Sequence, residues 1–246
     1  VTSATAENSI VFQANPAYWN ADNITIKTLT WKYNDGTEAT KAYNDMKAGV
    51  LDGCGLNSAA VEAAKADGMF DEYHYVADTD ATTFCAFTNL NRAAFANFND
   101  STVAVSTKDD AQKEAAQHAM RNVHFRRALL MGWDNATYNA QSVGEELKYA
   151  ALRNSYTPGN FVSLAEEVTI SINGTDKTYP AGTYYGQIVQ DQIDADGVKL
   201  KVWDAENYTS DGFAGWYNPA NAVEELNIAI EELAAEGLEI SAENPI

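Results

Sequence analysis

The sequence predicts an α/β protein, and three observations support this class. In the first third of the chain, short runs with strand-like alternation are separated by segments with helical spacing. Near the end lies a well-marked amphipathic helix, in which Asn218 is the cap, Pro219 occupies the first turn and Gly237 follows the last apolar position. The apolar content of 46% over 246 residues is enough to bury one large core or two modest ones.

The first third is predicted to alternate between strands and helices. One helix is expected where Ala39, Tyr43 and Met46 share a face, and a second from about Ser58 to Asp67. Strands are expected at residues 10–13, 24–33, 50–53, 73–77 and 84–89. Because strands separated by helices usually run parallel, this order predicts a sheet with crossover connections.

The rest of the chain is predicted to be richer in helix. Residues 109–120 are helix-prone, and residues 123–138 place apolar side chains near helical spacing. Asn173-Gly174 predicts a hairpin turn, with a loop longer than the two-residue ideal. A further strand is expected at residues 199–203.

Charge and cysteine content narrow the possible functions. The chain has 35 acidic and 16 basic residues, a formal net charge of -19, which disfavours nucleic acid and anionic membrane surfaces as partners. No run of about 18 apolar residues is present, so no membrane span is predicted. Cys54 and Cys85 fit neither a C-x-x-C pair nor a zinc pattern, and two buried free thiols are predicted rather than a disulfide.

A carboxylate-dependent hydrolase is one alternative to consider. Adjacent acidic pairs occur at Glu145-Glu146 and Glu166-Glu167, but such pairs in an acidic chain are usually solvated surface. No nucleophile-elbow or zinc-helix motif accompanies the three histidines. Neither catalytic nor metal-binding residues are therefore predicted.

Several landmarks together resemble one known protein family. They are Asn15-Pro16-Ala17-Tyr18-Trp19-Asn20 with residues 24–31, Lys47-Ala48-Gly49-Val50-Leu51-Asp52-Gly53, the aromatic strand ending at Asn89, residues 122–129 with Asp134, and Tyr217-Asn218-Pro219 with Ala222. In this order they resemble the peptide and nickel binding proteins of ABC importers, the oligopeptide-binding (family 5) class of extracellular solute-binding proteins.

The resemblance implies a periplasmic-binding-protein-like (type II) two-lobe fold. Only part of each lobe would be present, because family members are longer and the chain matches a central fragment. Residues 1–88 would belong to a first mixed α/β lobe and residues 89–246 to a second. Insertions relative to the family are expected near 101–121 and 163–213.

The resemblance also implies a function and a place in the cell. The chain would capture oligopeptides, or a related small solute, outside the cell membrane as a monomer and deliver them to an ABC permease. It would be a cell-surface lipoprotein or periplasmic protein, without a cofactor and without enzymatic activity. The alternative hypothesis is a surface adhesion or sensing module that takes no part in transport.

Five residues are the expected ligand-binding positions. Cys85, Phe87 and Asn89 share one face of the strand that the family uses to line its cleft, although the same face would suit an ordinary core. Asn57 and Ser58 are placed at the border of that cleft. A helix-capping role is an equally good interpretation of this second pair.

Overall fold

The structure is a computed structural model that describes residues 1–90, 100, 102 and 107–242. Contacts divide the chain into two compact units, one formed by Val1–Tyr75 with Ser142–Gly144 and the other by the described residues of Val76–Gln141 and Glu145–Ile246. The proposed lobe boundary between residues 88 and 89 remains a prediction. Part of the expected insertion at 101–121, namely residues 101 and 103–106, lies outside the described residues.

The described elements mix strands and helices, as an α/β protein requires. The strands are β1 (Ser3–Thr5), β2 (Ser9–Gln13), β3 (Thr28–Lys32), β4 (Val168–Ile172) and β5 (Thr175–Tyr179). The helices are α1 (Lys41–Lys47), α2 (Ser58–Ala66), α3 (Phe70–Tyr73), α4 (Asp110–Arg121), α5 (Val123–Gly132), α6 (Asn135–Val143), α7 (Tyr185–Ala195) and α8 (Pro219–Ala235).

The first unit contains a three-stranded antiparallel sheet in the order β1-β2-β3. The expected crossover connections are therefore wrong for this sheet, because the corner at Asn15-Pro16 returns the chain so that β3 runs antiparallel to β2. Tyr43 and Val61 are buried where α1 and α2 contribute to the unit's core.

Several predicted strands do not form among the described residues. Residues 50–53, 84–89 and 199–203 are irregular, and α3 ends at Tyr73 where the strand 73–77 was expected to begin. Alternation shows that a segment could occupy a half-buried sheet surface, but a strand also needs a neighbour to complete its hydrogen-bond ladder. Residues 84–88 make no backbone hydrogen bond to other described residues. In residues 199–203, the Lys201 N–H donates to the Gly215 carbonyl at 3.0 Å, and the Val202 and Trp203 N–H groups donate to the Gln190 side chain, so no ladder forms there.

The second unit is built mainly around the contact of α5 with α4 and α8. Ala119, Phe125, Ala229 and Leu233 form one buried cluster. The C-terminal helix is confirmed: it begins at Pro219 after an Asn218 cap, and Gly237 follows it with a φ of 83°. The single helix expected at 123–138 is instead two, α5 and α6, separated at Trp133 and Asp134.

The predicted hairpin is confirmed and is tighter than expected. β4 pairs antiparallel with β5, and Asn173 and Gly174 alone form the turn, with φ values of 48° and 78°. Both residues adopt the positive φ that a two-residue turn of this hand requires, which Asn-Gly provides at little cost. Across the described part of the chain, no helix combines the length and apolar character needed to cross a membrane.

Candidate functional site

The predicted ligand-binding residues fall in both units. Asn57 and Ser58 belong to the first unit, and Cys85, Phe87 and Asn89 belong to the second. Phe87 is 82% exposed in an irregular segment in which every residue from 84 to 90 is exposed. This exposure argues against the core-face interpretation of Phe87.

Asn57 has a clear structural role. Its side-chain oxygen accepts a 2.9 Å hydrogen bond from the Ala60 N–H and caps α2, while its Nδ2 donates to the Ala39 carbonyl, also at 2.9 Å. Ser58 is the first helical residue rather than the cap. The capping interpretation is therefore confirmed for Asn57, and a ligand contact by either residue remains a prediction.

Both cysteines are free thiols, as predicted, but neither is fully buried, and the expected burial is therefore wrong. Cys54 is half-buried, and burial raises the pKa of its thiol. Cys85 is exposed, and so are the nearby Phe84 and Phe87 in the same segment. Cys85, which is the predicted ligand-binding position, is therefore the more accessible of the two thiols.

Residues 84–88 have backbone groups available for pairing. No hydrogen bond joins these five residues to other described residues. Since backbone N–H and C=O groups are strong hydrogen-bonding groups, an exposed run of them can receive another extended chain. Beyond this run, the Leu90 carbonyl accepts a 2.9 Å hydrogen bond from Arg121 Nε.

Arg153 holds the residues that lead into this segment. Its Nη2 donates to the Asp80 carbonyl at 2.6 Å, and its Nη1 donates to the Thr82 carbonyl at 3.1 Å and to Thr83 Oγ1 at 2.7 Å. Nε and Nη2 also donate to the two carboxylate oxygens of Asp211, at 3.2 and 3.4 Å. The five bonds equal the five N–H donors of a guanidinium group.

Further contacts tie the same residues to the second unit. Thr79 Oγ1 donates to Asp211 at 2.8 Å, and Thr83 Oγ1 donates to the Tyr156 carbonyl at 2.8 Å. Hydrogen bonds from the Thr82 backbone and hydroxyl lower the pKa of Asp80 below its ordinary value, so this turn also stabilises an ionised carboxylate. We call Arg153, Asp211 and the residues 79–83 that they hold the Arg153 anchor.

The Arg153 anchor has no signature in the sequence. Arg153 and Asp211 are 58 positions apart, and Arg153 reaches Thr83 across 70 positions. Both lie in segments without helical or strand periodicity, and Asp211 falls in the stretch interpreted as an insertion. No local pattern in the sequence could have paired them.

The described residues offer neither a metal site nor a large cavity. No group of three or more His, Cys, Asp or Glu side chains there could hold a metal ion. An open cavity of about 140 Å³ is lined by Met131, Lys199, Asn221 and Glu224, among others. Pockets for drug-sized ligands are typically about 300–1,000 Å³, so this cavity is too small to enclose a peptide.

Comparison with known proteins confirms the resemblance seen in the sequence, although no family model matches the chain. The chain is similar to the oligopeptide-binding protein SarA of Streptococcus gordonii, with 27% identity over 237 residues, which is 96% of this chain and 32% of SarA. The oligopeptide-binding protein AliB of Streptococcus pneumoniae is 29% identical over 236 residues, which is 95% of this chain and 32% of AliB. The chain thus spans about a third of the length of these relatives.

Proposed function

We propose that this chain is part of the substrate-binding component of an ABC importer that captures oligopeptides outside the cell membrane and delivers them to a permease. The observation that carries the proposal is similarity along 95 to 96% of the chain to proteins named for oligopeptide binding. The proposed role of the chain is binding rather than catalysis. The periplasmic-binding-protein-like arrangement, with a boundary near residues 88 and 89, is part of the same proposal.

The exposed segment offers the chemistry that peptide capture needs. A peptide in extended conformation presents N–H and C=O groups that can pair with the backbone of residues 84–88. The Phe87 ring would contact a peptide side chain, and Cys85 and Asn89 would complete the same face. Backbone pairing is independent of peptide sequence, so this mode suits a protein that accepts many peptides.

Retention of peptides from a mixed pool tests the proposal. The full-length protein is purified and incubated with a synthetic library of short peptides, separated from unbound material by gel filtration, and its retained ligands are identified by mass spectrometry. We expect enrichment of peptides over a matched pool of free amino acids and oligosaccharides. A protein that retains none of the peptides would contradict the transport function and favour a surface module without a peptide ligand.

A further inference from the structure

We propose that Arg153 is a positioning residue for peptide binding, which fixes residues 79–83 and thereby presents residues 84–88 to the ligand. The inference rests on the proposed function and adds a residue outside the predicted binding positions. Arg153 itself lies outside the exposed run, so its effect on the ligand passes through the segment that it holds.

The hydrogen-bonding capacity of Arg153 is fully used. Its guanidinium makes as many hydrogen bonds as it has N–H donors, and its side chain is only 13% exposed. Two bonds go to Asp211, whose side chain is 16% exposed, and three go to residues 80–83. Charge-assisted bonds of this kind are among the stronger ones in proteins, and partial burial reduces screening by solvent.

The held segment depends on side-chain contacts rather than on backbone pairing. Residues 76–88 form no backbone-to-backbone hydrogen bond within the described part of the chain. The segment is instead held at two places by arginine side chains, with Arg153 before the exposed run and Arg121 at Leu90. Without Arg153, residues 79–83 would lose their main fixed contacts.

A fixed segment also favours the free energy of binding. A segment that is already fixed loses less conformational entropy when a ligand pairs with it, so pre-organisation raises affinity without a new ligand contact. Lysine could not replace Arg153 in this role. Its ammonium group has three donors on a single atom, whereas the anchor uses a planar fork that reaches two carboxylate oxygens and three further acceptors.

Two variants weaken the anchor to different degrees. Arg153→Lys keeps the charge but cannot make the fork, and Thr83→Val removes one acceptor of Arg153 together with the bond to the Tyr156 carbonyl. The Thr83 change keeps the side-chain shape and serves as the test should Arg153→Lys fail to fold. The matched control is Lys177→Met, which removes the 2.7 Å ion pair with Asp191 elsewhere in the same unit.

Peptide affinity and amide hydrogen exchange are measured on the full-length wild-type protein and on its three variants. We expect Arg153→Lys to bind a library-selected peptide roughly tenfold more weakly and Thr83→Val to show a smaller loss of the same sign. Amides of residues 80–88 should exchange faster in both variants, while those of β4 and β5 keep their wild-type rates. Lys177→Met should leave the affinity and the exchange of residues 80–88 unchanged.

The outcomes separate this inference from the proposed function. Wild-type affinity in both anchor variants would overturn the positioning role alone. A loss of affinity without faster exchange in residues 80–88, or an equal loss in Lys177→Met, would also overturn it, because the effect would then be general. If the wild-type protein itself binds no peptide, the proposed function fails and the positioning role fails with it.

Discussion

The Ser210 carbonyl oxygen accepts two hydrogen bonds from Asn154, one from the backbone N–H and one from the side-chain Nδ2, each at 2.9 Å. The same Nδ2 donates to the Phe213 carbonyl at 2.9 Å, and the Asn154 side-chain oxygen accepts from the Gly215 N–H at 2.9 Å. Asn154 is 2% exposed. Its amide therefore fixes residues 210–215 beside Arg153, which keeps Asp211 in place for the anchor.

Replacing Asn154 with alanine should strongly destabilise the second unit. The change leaves the Phe213 carbonyl and the Gly215 N–H without their described partner, and each buried unsatisfied group costs about 1–3 kcal/mol. We expect the free energy of unfolding to fall by roughly 2–5 kcal/mol in urea denaturation followed by circular dichroism. The control is Asn207→Ala, which removes one exposed bond to Asp204 and should cost under about 1 kcal/mol. Equal losses of stability in the two variants would contradict the role of Asn154 in fixing residues 210–215.

Alanine at two helical glycines should have different effects on stability. A Cβ at Gly186 in α7 would overlap the Trp203 ring and approach the Gly159 Cα, whereas a Cβ at Gly132 in α5 would meet only Ala222 Cβ, at 3.9 Å. Gly186→Ala should therefore destabilise by about 1–3 kcal/mol through overpacking. Gly132→Ala should be neutral or stabilise by up to about 1 kcal/mol, since alanine favours helix. Thermal unfolding of both variants measures these changes in stability. A stabilised Gly186→Ala variant would show that the Trp203 contact is not close.

Stability should fall in alkaline solution because of Tyr43. Burial, followed by the 2.8 Å hydrogen bond to the Asp67 carboxylate, raises the pKa of Tyr43 from 10.0 to about 12. Above pH 10 the unfolded chain releases this proton while the folded protein retains it until about pH 12, so unfolding becomes progressively more favourable across that window. Urea midpoints measured at each pH should fall, and the fall should be shallower in Tyr43→Phe.

Tyr75 provides the control for this pH dependence. It is 86% exposed, so Tyr75→Phe makes the same chemical change without removing a buried hydroxyl. Tyr179 is a second contributor, because burial and a hydrogen bond to Asp191 raise its pKa to about 12 as well. A Tyr43→Phe variant with the wild-type slope would mean that the Tyr43 hydroxyl ionises normally in the folded protein.

Local chemistry accounts for the features that the sequence predicted well. Asn173-Gly174 specifies its own turn, and Asn218-Pro219 specifies a helix start, because the atoms involved are neighbours along the chain. The Arg153 anchor depends on residues that folding brings together from 58 to 73 positions apart, and no periodicity encodes that pairing. Segment 84–89 shows why the strands were harder to predict. Its alternation is compatible with a strand, but a strand also needs a neighbouring strand, and alternation within one segment does not reveal whether that neighbour exists.

Phe87→Ala should weaken peptide binding while leaving stability nearly intact. The ring is 82% exposed, so its removal opens no cavity in the described fold, but a ligand that covers the ring would lose roughly 1–2 kcal/mol of binding free energy. Phe125→Ala is the control for a core ring: Phe125 is 7% exposed, and its truncation should lower stability by about 3–5 kcal/mol. Calorimetry with a library-selected peptide and a melting curve are recorded for each variant. Wild-type affinity in Phe87→Ala would remove Phe87 from the binding face, and a melting loss as large as that of Phe125→Ala would show that the ring belongs to a core.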